Sequence, residues 1–232
     1  MKPDKETDRQ YWSSQQQVLR QALMKDHDYQ QALPVFLSQH AVIHTARLHP
    51  GSHWSCQDEV LNGLTEAQIR CVPKGSPHSA AWALWHITRI EDVTMNVLLA
   101  DAPQLLHSGN WLTKLETPYE GVGNELSSDE IAEVSETINV KALLAYRLAV
   151  GKCTRAVVRR LKPGILWAAP APVRLRRLSV ERAVSEKAGW LLKYWGGHPS
   201  ANLLLMPATR HGFLHLNEIQ RMRSKLRRLQ VS

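Results

Sequence analysis

Met206-Pro-Ala-Thr-Arg-His211-Gly-Phe-Leu-His215-Leu-Asn-Glu218, close to the end of the chain, governs how the rest is interpreted. His211 and His215 are four residues apart. On an α-helix that spacing puts both on one face, about 6 Å apart along the axis. Two imidazoles so placed can bind one metal ion. Glu218 falls on the same face, seven residues after His211, where a carboxylate can orient a ligand or take a proton. Pro207 suits the first turn of a helix, so the spacing predicts a final helix from there to about Leu229.

Working outward, three further long helices are expected. Residues 79–100 carry Trp82, His86, Ile90 (or Arg89), Val93 and Val97 at 3.5 to 3.6 spacing, with His86 in the middle of an apolar stripe. Residues 139–161 carry Leu143 or Leu144, Leu148, Val150 and Val157. Residues 28–48 carry Val35, Phe36, Ala41, Val42 and Ile43, and that helix can begin as late as Pro34. Short helices are expected after the caps Ser55, Thr65 and Ser127 (through Glu136) and between residues 179 and 195. A long connection spans 103–126, and loops of that length are usually functional or mobile. Residues 9–26 look helical with few strong apolar positions. No strand pattern or internal repeat is present. The sum is an all-α chain: a four-helix bundle over 27–232 with short accessory helices, preceded by an N-terminal helical extension over 1–26.

The chain has 232 residues, enough for one sizeable core. Eight Trp against two Phe implies a core with polar pockets for indole N–H groups. No apolar run approaches the ~18 residues of a membrane span, and the first twenty residues do not read as a secretion signal. The cysteines, three in number, form no C-x-x-C pair, which argues for a reducing cytoplasm. The formal charge of +8 gathers in Arg174, Arg176 and Arg177 and in Arg221, Arg223, Lys225, Arg227 and Arg228. The second group shares a helix with Leu214, Met222, Leu226 and Leu229 and reads as a solvated face. No nucleic-acid motif accompanies the charge.

Among eleven histidines, two H-x-x-x-H pairs occur, His40/His44 and His211/His215. Bundles build metal sites from side chains on facing helices. His86, deep in an apolar stripe, needs a partner, and is the expected third ligand beside His211 and His215. Three His without Cys suit Zn²⁺ first, with Ni²⁺ or Fe²⁺ as alternatives, and three protein ligands leave an open position. His40/His44 precedes His49 and His53 and reads as a surface or interface pair.

With Trp82-Ala-Leu-Trp-His86-Ile-Thr-Arg89-Ile-Glu-Asp92 and Arg210-His211-Gly-Phe-Leu-His215-Leu-Asn-Glu218 quoted, the chain resembles the DinB/YfiT-like superfamily of metal-dependent enzymes, over roughly residues 30–229. The resemblance implies an up-down-down-up-like bundle, a divalent metal on His86, His211 and His215, and often a homodimer. Some members of that group transfer low-molecular-weight thiols. The leading expectation is therefore a bacillithiol-type S-transferase acting on a small molecule. Arg89, Arg147 and Arg210, with Trp85 and Asn217, are the candidates to hold the thiol, and Glu218, Asp92 and Tyr146 the candidates for catalysis. The alternatives are a hydrolase using a metal-bound water and a metal-binding stress or interaction protein without turnover.

Overall fold

The computed structural model describes residues 5–228 apart from 26, 50, 52 and 53. The main helices are α1 (Lys5–Met24), α2 (Tyr29–Ile43), α3 (Ala80–Asp92), α4 (Val140–Arg160) and α5 (His211–Arg228). Among the described residues there is no strand. The all-α architecture is as the periodicity predicts, with α2 to α5 forming the bundle.

Each of three bundle helices starts on a side-chain cap. Asp28 accepts from the Gln31 N–H, Ser79 from Trp82 N–H and Asn139 from Ala142 N–H. Such a cap is worth about 1 kcal/mol over alanine. The predicted caps Ser55, Thr65 and Ser127 are also present, the last two as full capping boxes. α2 begins at Tyr29 rather than Pro34, which lies inside the helix.

α3 differs most from its expected form. Every residue from Ala80 to Leu99 is buried, so this is a central helix surrounded on all sides rather than one with a single apolar stripe. It passes at Asp92 into a π-helical stretch, Val93–Leu99. One apolar cluster lies around Phe36, Ile90, Val93 and Leu98; another gathers Trp85, Ile87, Leu143, Tyr146 and Phe213. Where they meet, α3 carries Thr88, Arg89, Glu91 and Asp92, all buried. Buried charges survive only when paired, and each of these is.

The last helix is also not a fresh start at Pro207. A short helix, Ala201–Leu205, runs through a π turn, Met206–Arg210, directly into α5. Gly212, Phe213, Leu216, Ile219, Met222 and Leu226 are its buried positions, whereas Leu214 is exposed. Leu229 lies outside the described residues.

The segment over 1–26 is more than an outer extension across its described part. Trp12, Leu19, Ala22 and Leu23 of α1 are buried, against α2 and the Ala201–Arg228 region. The 103–126 connection is likewise anchored. Leu106, Leu115 and Val122 are fully buried, and it contains two short helices, Leu105–Ser108 and Trp111–Leu115.

Among the described residues no helix is long and apolar enough to cross a membrane. Cys56, Cys71 and Cys153 are free thiols.

Candidate metal centre

His86 is presented by the capped N-terminal half of α3, and His211 and His215 by the first turns of α5. The three rings meet edge to face, with centroids 4.7 to 5.1 Å apart. Each offers one ligand nitrogen, and these atoms all lie within 4.8 Å of one another. His86 Nε2 is 3.2 Å from His211 Nε2. Two nitrogens bound at about 2.05 Å to a tetrahedral ion stand about 3.3 Å apart, so the spacing suits a shared cation.

The tautomer of His86 follows from its other nitrogen. Nδ1 is 2.6 Å from the Val122 carbonyl oxygen. A carbonyl only accepts, so Nδ1 carries the proton and Nε2 presents its lone pair to His211. This backbone acceptor behind a ring is the usual support of a metal-ligating histidine. The carbonyl is supplied by the long connection, which reaches α3 closely because Gly123 has φ +82° and a Cβ there would come within 2.4 Å of the Trp85 ring. Burial, helped by the neighbouring His215, pushes His86 down to about 3, and burial with His86 holds His211 well below the usual imidazole range. Both rings are neutral at pH 7 and able to ligate. His211 Nδ1 is buried with no hydrogen-bond partner.

Two groups stand around these rings. Glu218 Oε2 lies 2.7 Å from His215 Nδ1 and 3.4 Å from His78 Nε2, close contacts off the hydrogen-bond axis. Those imidazoles hold the Glu218 carboxyl far below the carboxylate range. An ion so readily kept as carboxylate orients His215 better than it accepts protons. His78, Trp82 and His86 stack in succession, each pair of centroids 4.8 Å apart. His78 was not foreseen. It stands eight residues before His86 in the same four-residue rhythm, but the adjacent Pro77 and the cap at Ser79 hide that continuity. The site meets solvent on the side of Glu218, whose side chain is 41% exposed against 17% for His215 and 9% for His78.

The other expected site residues are committed elsewhere. Asp92 is fully buried and accepts from Arg89 Nη1, Tyr146 Oη, Asn96 Nδ2 and the N–H groups of Leu105 and Leu106. A carboxylate with five donors has no capacity left for a substrate proton. Tyr146 is spent on the same bond, and burial raises its hydroxyl well above the usual phenol range. Arg89 also donates to Gln104 Oε1 and the Glu120 carbonyl. Arg147 donates to Gln57, Thr88 and the Ile43 carbonyl. Both guanidiniums are almost wholly buried, so the expectation that they hold an anionic thiol is corrected: they are core cations tying helices together. Trp85 is fully buried against Gly123. Asn217 accepts from Arg9 Nε. Arg210 is exposed and lines a groove of about 410 Å³ with Trp12, Gln16, Phe213 and Leu214. A larger groove, about 970 Å³, lined by Leu61, Ile69, Val140 and Leu144, contains none of the histidines.

The second H-x-x-x-H pair is not on the surface. His40 and His44 are fully buried, with their Nε2 atoms 2.8 and 3.0 Å from the two oxygens of Glu91. His53 lies outside the described residues. Thr154 Oγ1 donates to the same carboxylate at 2.7 Å, and Gly151 leaves the room: a Cβ there would sit 2.8 Å from the His44 ring. This trio and His78/His215/Glu218 also bring ligand atoms within 4.8 Å. Glu91 is held ionised by the two imidazoles. It therefore accepts, and each Nε2 points a proton at it. The charge of Arg147 already offsets Glu91, so a dication added there would be an uncompensated buried charge.

The family model of the DinB superfamily matches residues 52–206. That match includes His86 and stops short of both H-x-x-x-H pairs. No curated protein matches the chain. The matched span is more than half of the 232 residues, and together with the all-helical architecture it shows that the chain belongs to the DinB superfamily.

Proposed function

We propose that the protein is a divalent-metal-dependent enzyme using His86, His211 and His215 as ligands, and that it transfers a low-molecular-weight thiol to a small electrophile. The observation that carries the reading is the donor set: three converging imidazoles with no carboxylate among them, one locked with its Nε2 lone pair free by the Val122 carbonyl. A divalent cation held there, Zn²⁺ before Ni²⁺ or Fe²⁺, supplies Lewis acidity and an uncompensated positive charge that favours an anionic partner such as a thiolate. The residues do the rest. Glu218 steadies His215 on the solvent side, His78 steadies Glu218, and the Trp82 ring stacked between His78 and His86 keeps one wall apolar. Arg210 is the arginine still open to contact an anionic thiol among the three first considered.

The test is reconstitution with Zn²⁺ followed by turnover of an electrophile with and without bacillithiol-type thiols. Thiol-dependent turnover that vanishes in His211→Ala/His215→Ala is the expected result. Thiol-independent hydrolysis would replace transfer by the hydrolase reading. Bound metal with neither activity would favour a metal-binding protein without turnover.

A further inference from the structure

We infer that α1 positions the metal-binding histidines, acting as a clamp along the back of the helix that carries them. The inference builds on the metal reading above and adds residues that no part of it uses.

Arg9, Trp12 and Gln16 are spaced three and four apart and so share one face of α1. Each holds the His211-bearing segment at a different height. Arg9 Nε donates to Asn217 Oδ1 at 3.1 Å. The Trp12 ring stacks on Phe213, centroids 3.8 Å apart and planes 13° apart. Gln16 Nε2 donates to the Leu205 carbonyl at 2.8 Å and to Thr209 Oγ1 at 3.2 Å. The partners 205, 209, 213 and 217 recur every four residues, so the two helices engage as an antiparallel ladder. Phe213 lies midway between His211 and His215 in sequence.

The Gln16 rung falls on the π turn Met206–Arg210, immediately before His211. A π turn accommodates about one residue more than an α turn, which rotates all later side chains by about 100° relative to an uninterrupted helix. The direction in which His211 and His215 point therefore depends on that wide turn being kept. A wide turn disturbs the usual i→i−4 pairing, and here side chains supply the donors. Thr209 Oγ1 reaches the carbonyls of Leu204 and Leu205 at 2.8 and 2.9 Å, and Gln16 adds a second donor to Leu205. Gln16 and Thr209 thus hold open the turn that aims the ligand pair at His86.

The probe is Co²⁺, whose visible absorption reports both affinity and ligand geometry. It is titrated into the full chain, with apo thermal unfolding recorded in parallel. Thr209→Val keeps the shape and removes the hydroxyl; Gln16→Met removes the outer donor. The double variant is expected to bind Co²⁺ at least about tenfold more weakly, with altered absorption bands, because losing the supports of a ligand typically costs 10–100-fold in affinity. Thr209→Ser, which keeps the hydroxyl, is expected to retain wild-type affinity and bands. If the double variant proves too unstable, Gln16→Met alone carries the test in the same direction. Wild-type Co²⁺ affinity and spectrum in a folded Gln16→Met variant would overturn the clamp while leaving the three-histidine site standing. No Co²⁺ uptake by the wild-type chain would overturn the metal reading and the clamp with it.

Discussion

α2, with its C-cap residue His44, and α5 each carry an H-x-x-x-H pair, and α3 closes both. His40 and His44 meet Glu91; His211 and His215 meet His86, five residues earlier on the same helix. The spacing is identical and the outcome opposite. A carboxylate accepts, so it draws the Nε2 protons of its pair inward and makes a closed hydrogen-bonded hub. A histidine whose Nδ1 proton is already given to a backbone carbonyl presents a lone pair instead, and three imidazoles then converge with fewer protons than nitrogens. The third partner and the atom behind it, rather than the spacing, separate a closed hydrogen-bonded hub from a cluster able to offer lone pairs to a cation.

The sharpest way to break this comparison is to remove the ligand pair. His211→Ala/His215→Ala is expected to take bound divalent metal from about one per chain to none by elemental analysis, and His86→Ala to behave alike. Full stoichiometry in either would dissolve the contrast. The next largest effect belongs to the hub. Glu91→Ala strands two buried imidazole N–H groups and the Thr154 hydroxyl, and each buried donor left unsatisfied costs about 1–3 kcal/mol. Denaturant unfolding of the apo protein should show that loss. His40→Ala should cost about 1–3 kcal/mol and leave bound metal unchanged; metal lost there would mean the pairs have been assigned the wrong way round.

The smallest effect is a pH slope. Burial pushes His44 down to about 3 from its ordinary value near 6.5. The folded state keeps it neutral, while the unfolded chain protonates it. Its contribution is therefore fully present above about pH 6.5 and is lost progressively as pH falls from there towards 3, at about 1.4 kcal/mol per pH unit. Apo stability measured between pH 7 and 5 should fall accordingly. His44→Gln, which keeps a donor for Glu91 and cannot be protonated, should reduce the slope, leaving the part due to the buried His86 and His211.

The bundle and the convergence of the three histidines were legible because each rests on a period that sequence displays directly. What was hidden shares one cause. On a helix buried all round, a charged residue shows nothing of its partner, so Arg89, Asp92, Tyr146 and Arg147 read as site residues although the core consumes them. The surface reading of His40/His44 failed similarly, since Glu91 comes from another helix. The wide turn before His211 was masked by Pro207, which suits a helix start equally well. α1 looked peripheral because Arg9 and Gln16, which reach the Leu205–Asn217 stretch, do so through polar contacts that an apolar period does not display.

The connection over 103–126 is fastened at both ends: Asp92 receives the N–H groups of Leu105 and Leu106, and the Val122 N–H goes to the Ala183 carbonyl while its own carbonyl holds His86. Swinging that segment aside would release the His86 ring from its acceptor. The segment is therefore fixed scaffolding rather than a cover, the histidine cluster meets solvent past Glu218 and His78, and the amide protons of Leu105, Leu106 and Val122 should exchange as slowly as those of a regular helix.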